Sequence, residues 1–136
     1  MTLMELEQVF KNVYKCLNKG GIFIFDMNMK YHLETEMKKG LDNIRERPKY
    51  LFIRRTEYDA EKKLGKYRFT IFRPENKLWK RSDIILYQTL YPLEDIVSSL
   101  EKTGFNSIKT YSFNQQRELQ EANENSSRVF FYSQKR

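Results

Sequence analysis

Apolar residues near the start of the chain recur every three or four positions: Leu3, Leu6, Val9, Phe10, Val13, Tyr14 and Leu17. That spacing draws one stripe down a helix. Thr2 and Glu5 stand at capping-box spacing, where the hydroxyl takes an orphan amide and the carboxylate reaches back. Lys15 and Lys19 suit the negative end of the helix dipole, and Gly20 is the expected left-handed cap. The period then breaks. Ile22 to Phe25 are four apolar residues in a row, and a strand without alternation is one covered on both faces, as in a parallel sheet under helices. Helix, Gly-Gly and covered strand make the second half of a strand–helix–strand unit. The partner strand that should precede the helix is missing from the sequence.

The pattern changes again downstream. "MKYHLETEMKKGLDNI" is helical or mixed, starting near Tyr31 or His32 and ending near Gly40. "KYLFIRRTEYD", "GKYRFTIFRP" and "LWKRSDIILYQTLY" are rich in aromatic and β-branched residues, with the turn-forming "DAEKKLG" and "PENK" between them. They predict a three-stranded antiparallel meander. Tyr67, Phe69 and Ile71 alternate with Arg68, Thr70 and Phe72, so its two faces differ in wetness. "PLEDIVSSLEKTGF" predicts a helix that starts at Pro92, carries Glu94 and Asp95 at its positive end, buries Ile96, Val97 and Leu100, and stops at Gly104. "NSIKTYSF" and "SRVFFYSQ" read as strands joined by the polar "NQQRELQEANENSS". The expected arrangement is a single α/β domain, with core parts at 1–48 and 92–136 and a β insert at 49–91.

Composition narrows the class. At 136 residues, with 40% hydrophobic, 32% charged and 15% aromatic residues, the chain can bury one real core. No apolar run approaches a membrane span, and the N-terminus lacks a secretory signal. Cys16 is the single cysteine, which excludes an internal disulfide and fits a reducing, cytoplasmic setting; its place late in a helical pattern suggests packing. The formal charge is +7. Acidic residues interleave with the basic ones, which favours a solvated surface over a nucleic-acid face, and a basic RNA-binding module is the weaker alternative.

Few residues offer chemistry. One histidine and one cysteine do not make a metal site. No serine–histidine–acid arrangement and no phosphate loop can be placed. His32 has the pKa range of a base, although a lone surface histidine is the commoner case. Arg81 and Asp83 stand at i and i+2 on one strand face and could pair with each other or with a substrate. Trp79 and Tyr91 fit either a pocket mouth or core packing. The meander tyrosines more often pack across strands than stack on bases.

The order of elements resembles the C-terminal half of class I S-adenosylmethionine-dependent methyltransferases. Three stretches carry the likeness: "ELEQVFKNVYKCLNKGGIFIFDMN", "LYQTLYPLEDIVSSLEKTGFNSIKTYSF" and "SRVFFYSQK". They are similar to that family's helix and fifth strand, its final helix with the following strand, and its closing antiparallel strand. The aromatic insert is similar to the extra sheet of small-molecule N-methyltransferases. The resemblance implies a Rossmann-like sheet of which this chain supplies strands five, seven and six, in that spatial order. It implies a cytoplasmic enzyme acting on a small molecule, and dimerisation through the extra sheet. Asp26 and Asn28 match the tip of the fifth strand beside the substrate pocket, though either could instead cap the next turn. With them, His32, Arg81 and Tyr91 complete the candidate substrate-binding set. Nothing matches the family's glycine-rich cofactor loop, since Gly20 and Gly21 end a helix instead of opening one. S-adenosylmethionine is therefore expected only together with a missing N-terminal half, and the chain alone is expected to be inactive. Ile22 to Phe25 would then form a bare sheet edge, which calls for a second copy or a separate N-terminal half. A truncated, non-catalytic dimeric binding module is the alternative.

Overall fold

The computed structural model describes residues 1–38 and 43–136, so the expected helix end at Gly40 lies outside the described residues. The chain divides into two compact units. One comprises Met1–His32 and Leu90–Arg136, the other Leu33–Thr89.

The first unit is built around helix α1 (Leu3–Cys16), strand β1 (Ile22–Asn28), helix α3 (Leu93–Thr103) and strands β6 (Phe105–Phe113), β7 (Leu119–Glu121) and β8 (Arg128–Lys135). The short helix α2 (Lys30–Lys38) begins here with His32 in its first turn. Thr2 caps α1 through the expected reciprocal box, its hydroxyl accepting from the Glu5 amide at 3.2 Å. The Thr2 amide in turn donates to the Glu5 carboxylate at 2.6 Å, and that backbone bond, more than any other contact, holds the Glu5 carboxyl below its ordinary pKa. The helix stops at Leu17, earlier than a Gly20 cap requires; Gly20, at φ +77°, serves the turn into β1 instead. α3 does end on a left-handed glycine, Gly104.

The strands form one sheet in the order β1-β8-β6-β7. β8 runs antiparallel to both β1 and β6, so those two point the same way. This is the five-seven-six order expected from the resemblance. Phe10 of α1, Ile96 and Leu100 of α3, and Val129 and Phe131 of β8 are buried in one core. Phe10 sits 5.3 Å from the Phe25 ring, which stacks on Phe131 at 4.8 Å. Burying a side chain such as Phe10 contributes about 1.5–3 kcal/mol.

Double coverage of β1 is not found. Phe23, Phe25 and Met27 pack on the core, but Ile22 and Ile24 point to the other face and are 50% and 64% exposed. The unbroken apolar run thus reports one face covered within this chain and one left open. Val9 is likewise exposed, and Cys16 is exposed instead of packed.

The second unit is an antiparallel meander of four strands, β2 (Asn43–Arg47), β3 (Tyr50–Asp59), β4 (Leu64–Glu75) and β5 (Leu78–Thr89), in sequence order. The expectation was three. β2 escapes the sequence pattern because Ile44 is the single apolar residue in "NIRER" and is itself exposed; its pairing to β3 supplies the order. Asn76 and Lys77, both at positive φ, make the tight turn between β4 and β5 within "PENK". Leu33 is fully buried against Gly65, where a Cβ would stand 2.5 Å from its Cδ1.

Candidate site at the tip of the first strand

β1 ends where the chain must turn. The Met29 amide donates to Ser127 O at 2.9 Å, and the His32 amide donates back to Met29 O at 3.0 Å to open α2. Met29 is buried and anchors the turn. Strand alternation then places Asp26 and Asn28 on the open face, in line with Ile22 and Ile24. Asn28 stands opposite Arg128, and Asp26 opposite Phe130.

Arg128 reaches diagonally to Asp26. Its Nε and Nη2 each lie 2.6 Å from Asp26 Oδ2, and its guanidinium sits 5.6 Å from the Phe130 ring centre. The Asp26 hydrogen bond, reinforced by its charge, raises the Arg128 pKa further. Sequence reading missed Arg128. The two residues are 102 positions apart, and only the β1–β8 register brings them together. Among the described residues the Asp26 carboxylate caps no turn; it carries a charge-assisted bond through Oδ2. A carboxylate held this way can take an amine or hydroxyl on one side while Arg128 fixes its orientation on the other.

The remaining candidates divide between the two units. His32 lies half-buried in the first turn of α2. Tyr91 is 8% exposed, and its hydroxyl donates to the Met1 carbonyl, a part-buried contact inside its own unit. Arg81 belongs to the meander. Its Nε and Nη2 fork onto Asp83 at 2.8 and 3.1 Å, and Asp83 also accepts from the Thr70 hydroxyl at 2.8 Å. Of the two partners the sequence allowed Arg81, the structure supplies Asp83. Those hydrogen bonds, Arg81 first, hold the Asp83 carboxyl below its ordinary value. Trp79 is exposed, neither core nor enclosed mouth.

The glycines among the described residues do not form a strand-to-helix cradle for S-adenosylmethionine. A cofactor cradle needs free amides at a strand-to-helix turn. The Gly20 amide is taken by Lys135 O at 3.0 Å and the Gly21 amide by Asn18 O at 2.9 Å, both in a helix-to-strand turn. Gly65 lies inside a strand and Gly104 ends a helix. Among the described residues no three metal-binding side chains gather, and no helix is long and apolar enough to cross a membrane.

No family model and no curated protein sequence matches the chain. Solved structures do. A S-adenosylmethionine-dependent methyltransferase from Clostridium acetobutylicum ATCC 824 matches with a TM-score of 0.77 at 20% identity, over 98% of this chain and 52% of its own. The sugar N-methyltransferase KedS8 from Streptoalloteichus sp ATCC 53650 matches at 0.64 and 14% identity, over 99% and 50%. CalS10, an amino pentose methyltransferase from Micromonospora echinaspora, solved with SAM bound, matches at 0.61 and 9% identity, over 100% and 52%. The chain therefore has the fold of one half of these methyltransferases and spans about half their length.

Proposed function

We propose that this chain is the acceptor side of a small-molecule methyltransferase, and that activity requires a cofactor-binding half to complete the sheet beside β1. The carrying observation is β1 itself. It is the sheet's edge, it lies parallel to β6 across β8, and its face away from α1 and α3 leaves Ile22 and Ile24 in water. An apolar edge of this kind recruits a strand. The completing half is either a separate chain or a segment preceding this one in a longer protein.

In this reading Asp26 and Asn28 hold the acceptor's amine or hydroxyl at the strand tip, with His32 close by in sequence. Methyl transfer depends chiefly on alignment and exclusion of water, with a base needed only for some acceptors. Arg128 acts as a positioning residue for Asp26. Arg81 and Tyr91 have their polar groups engaged inside their own units, which weakens their claim to substrate. The neighbours named for sugars support a polyhydroxylated or amino-bearing acceptor.

Titration calorimetry with S-adenosylmethionine tests the division of labour. The chain alone should give no heat of binding. A chimera carrying the N-terminal half of the Clostridium methyltransferase before Met1 should bind it, and hydrogen exchange at β1 should slow. Binding by the chain alone would refute the reading, as would a folded chimera whose β1 amides exchange as before.

A second reading, a non-catalytic dimeric module, draws on β5. This edge strand exposes Trp79, Ile84, Ile85, Leu86 and Tyr87 on both its faces. A second copy pairing along β5 would cover them. Light scattering on Ile85→Lys with Tyr87→Lys should then show monomers where the parent shows dimers, and a parent that is already monomeric would exclude this reading.

A further inference from the structure

We infer that one face of the meander is a binding site for a planar aromatic anion, an aryl carboxylate or aryl phosphate, held between Arg45 and Arg73. The starting observation is charge. Residues 33–89 hold 15 of the chain's Lys and Arg against 9 Asp and Glu, whereas the first unit is nearly balanced at 10 against 9. The meander therefore carries most of the +7.

Strand register sorts that charge between faces. Opposed residues of antiparallel strands share a face, and neighbours alternate. One face mixes both signs and pairs them. Glu57 meets Lys66 at 3.4 Å and Arg68 at 3.1 Å, and Asp83 meets Arg81 at 2.8 Å. The other face carries Arg45, Arg47, Arg54, Arg73 and Lys80. Among the described strand residues its one carboxylate is Glu75, at the hairpin end, bonded to Lys80 at 3.2 Å.

On this cationic face a groove of about 320 Å³ is lined by Arg45, Tyr50, Phe52, Ile71 and Arg73. Arg45, Phe52 and Ile71 lie in one row across three strands, and Arg73 stands one step along on the same face, opposite Lys80, while Tyr50 stands opposite Arg47. Phe52 is held in place by Phe69 at 5.5 Å, which in turn stacks with Tyr67 at 6.3 Å. The floor is therefore apolar, and its aromatic rings continue along the same face beyond Phe52. Neither Arg45 nor Arg73 forms an ion pair with a described residue, and both are exposed.

Two guanidiniums line an aromatic floor with no ion-pair partner among the described residues. A bound carboxylate or phosphate supplies that partner, since the guanidinium fork matches either group. The ring of such a ligand stacks on Tyr50 and Phe52. The groove's size suits a compound of one or two rings, at the small end of ligand pockets. A second copy of this face is a poor occupant, because it would bring two cationic surfaces together.

The test uses the whole chain, labelled for amide spectra, and three probes: indole-3-acetate, its neutral twin indole-3-acetamide, and acetate. Indole-3-acetate should shift the Phe52 and Ile71 amides and saturate with a Kd of about 0.1–1 mM, the range its size allows. The neutral twin and acetate should each bind roughly tenfold more weakly, as each lacks one half of the recognition. Arg45→Met and Arg73→Met should each weaken indole-3-acetate about tenfold, while Arg68→Met on the opposite face should change it less than about twofold. Exposed positions make misfolding avoidable, and unchanged peak dispersion checks it. Equal binding of the neutral twin overturns the proposal, as does the absence of shifts up to about ten times the expected Kd. A ten-residue oligouridylate that displaces the probe, with affinity falling steeply in salt, would overturn it in favour of a single-stranded nucleic acid.

Discussion

Replacing Lys135 with Met tests how the last strand secures the first helix. The Lys135 ammonium donates to Tyr14 O at 2.7 Å and to Leu17 O at 2.8 Å, and it stands 4.7 Å from the Tyr14 ring centre. These carbonyls lie at the end of α1, where the helix no longer provides amides to meet them. Met keeps the apolar stem and removes the charge and its donors. A cation at a helix C-terminus contributes about 0.3–1 kcal/mol, and up to about 2 when partly buried. The ring contact contributes about 0.5–1 kcal/mol. One ammonium serves both, so the terms overlap and a loss of about 1.5 kcal/mol is expected. For a chain this long, that lowers Tm by about 5 °C. Circular dichroism melts at 222 nm read it directly, and Tyr14→Leu in both backgrounds separates the ring from the carbonyls. Lys135→Arg should retain most of the stability. A Lys135→Met melt within about 1 °C of the parent would refute the capping role, because the dipole contribution alone exceeds that shift.

The mid-strand glycine gives a second prediction: Gly65→Ala sets a methyl 2.5 Å from the buried Leu33 Cδ1 and should destabilise by about 1–3 kcal/mol, with Leu33→Ala recovering part of the loss in a double-mutant cycle. Acid should act through Asp83. Its folded pKa lies below the unfolded one, so its stabilisation is present above the unfolded value and disappears as pH falls through the folded value. Urea midpoints of the parent and Asp83→Asn should therefore converge as pH drops below the aspartate range, and a pH-independent gap would contradict this. Arg128→Met, at an exposed pair, should cost less than about 1 kcal/mol while loosening Asp26 in side-chain NMR; a larger loss would make the pair a structural clamp instead of a positioning contact.

Much of the fold was legible because local rules agree with it. The apolar stripe from Leu6 to Phe10 and the Thr2–Glu5 box define α1, and Gly104 at φ +107° ends α3 where sequence places it. What sequence could not give was set by partners far along the chain. β2 is a strand because β3 pairs with it, and nothing in "NIRER" says so. α1 is closed by Lys135 and not by Gly20, a contact over 121 residues. Asp26 was legible as a strand-tip carboxylate, but its Arg128 partner exists only through register.

The coverage of β1 is the instructive miss. Ile22 and Ile24 match Phe23 and Phe25 in hydrophobicity, and a sequence evolved to bury all four predicts cover on both faces. The structure covers the phenylalanines and leaves the isoleucines in water, 50% and 64% exposed. Burying what remains exposed of these two side chains would add about 2–3 kcal/mol at the usual scale. That quantity is appreciable beside the total stability of a domain, and in the proposed reading it is what a completing half would gain by covering this face. Polar replacements there should separate the two roles of the strand. Ile24→Thr keeps β propensity and the Asp26 geometry while removing apolar area. It should leave the fold of this chain intact and weaken its union with a cofactor half.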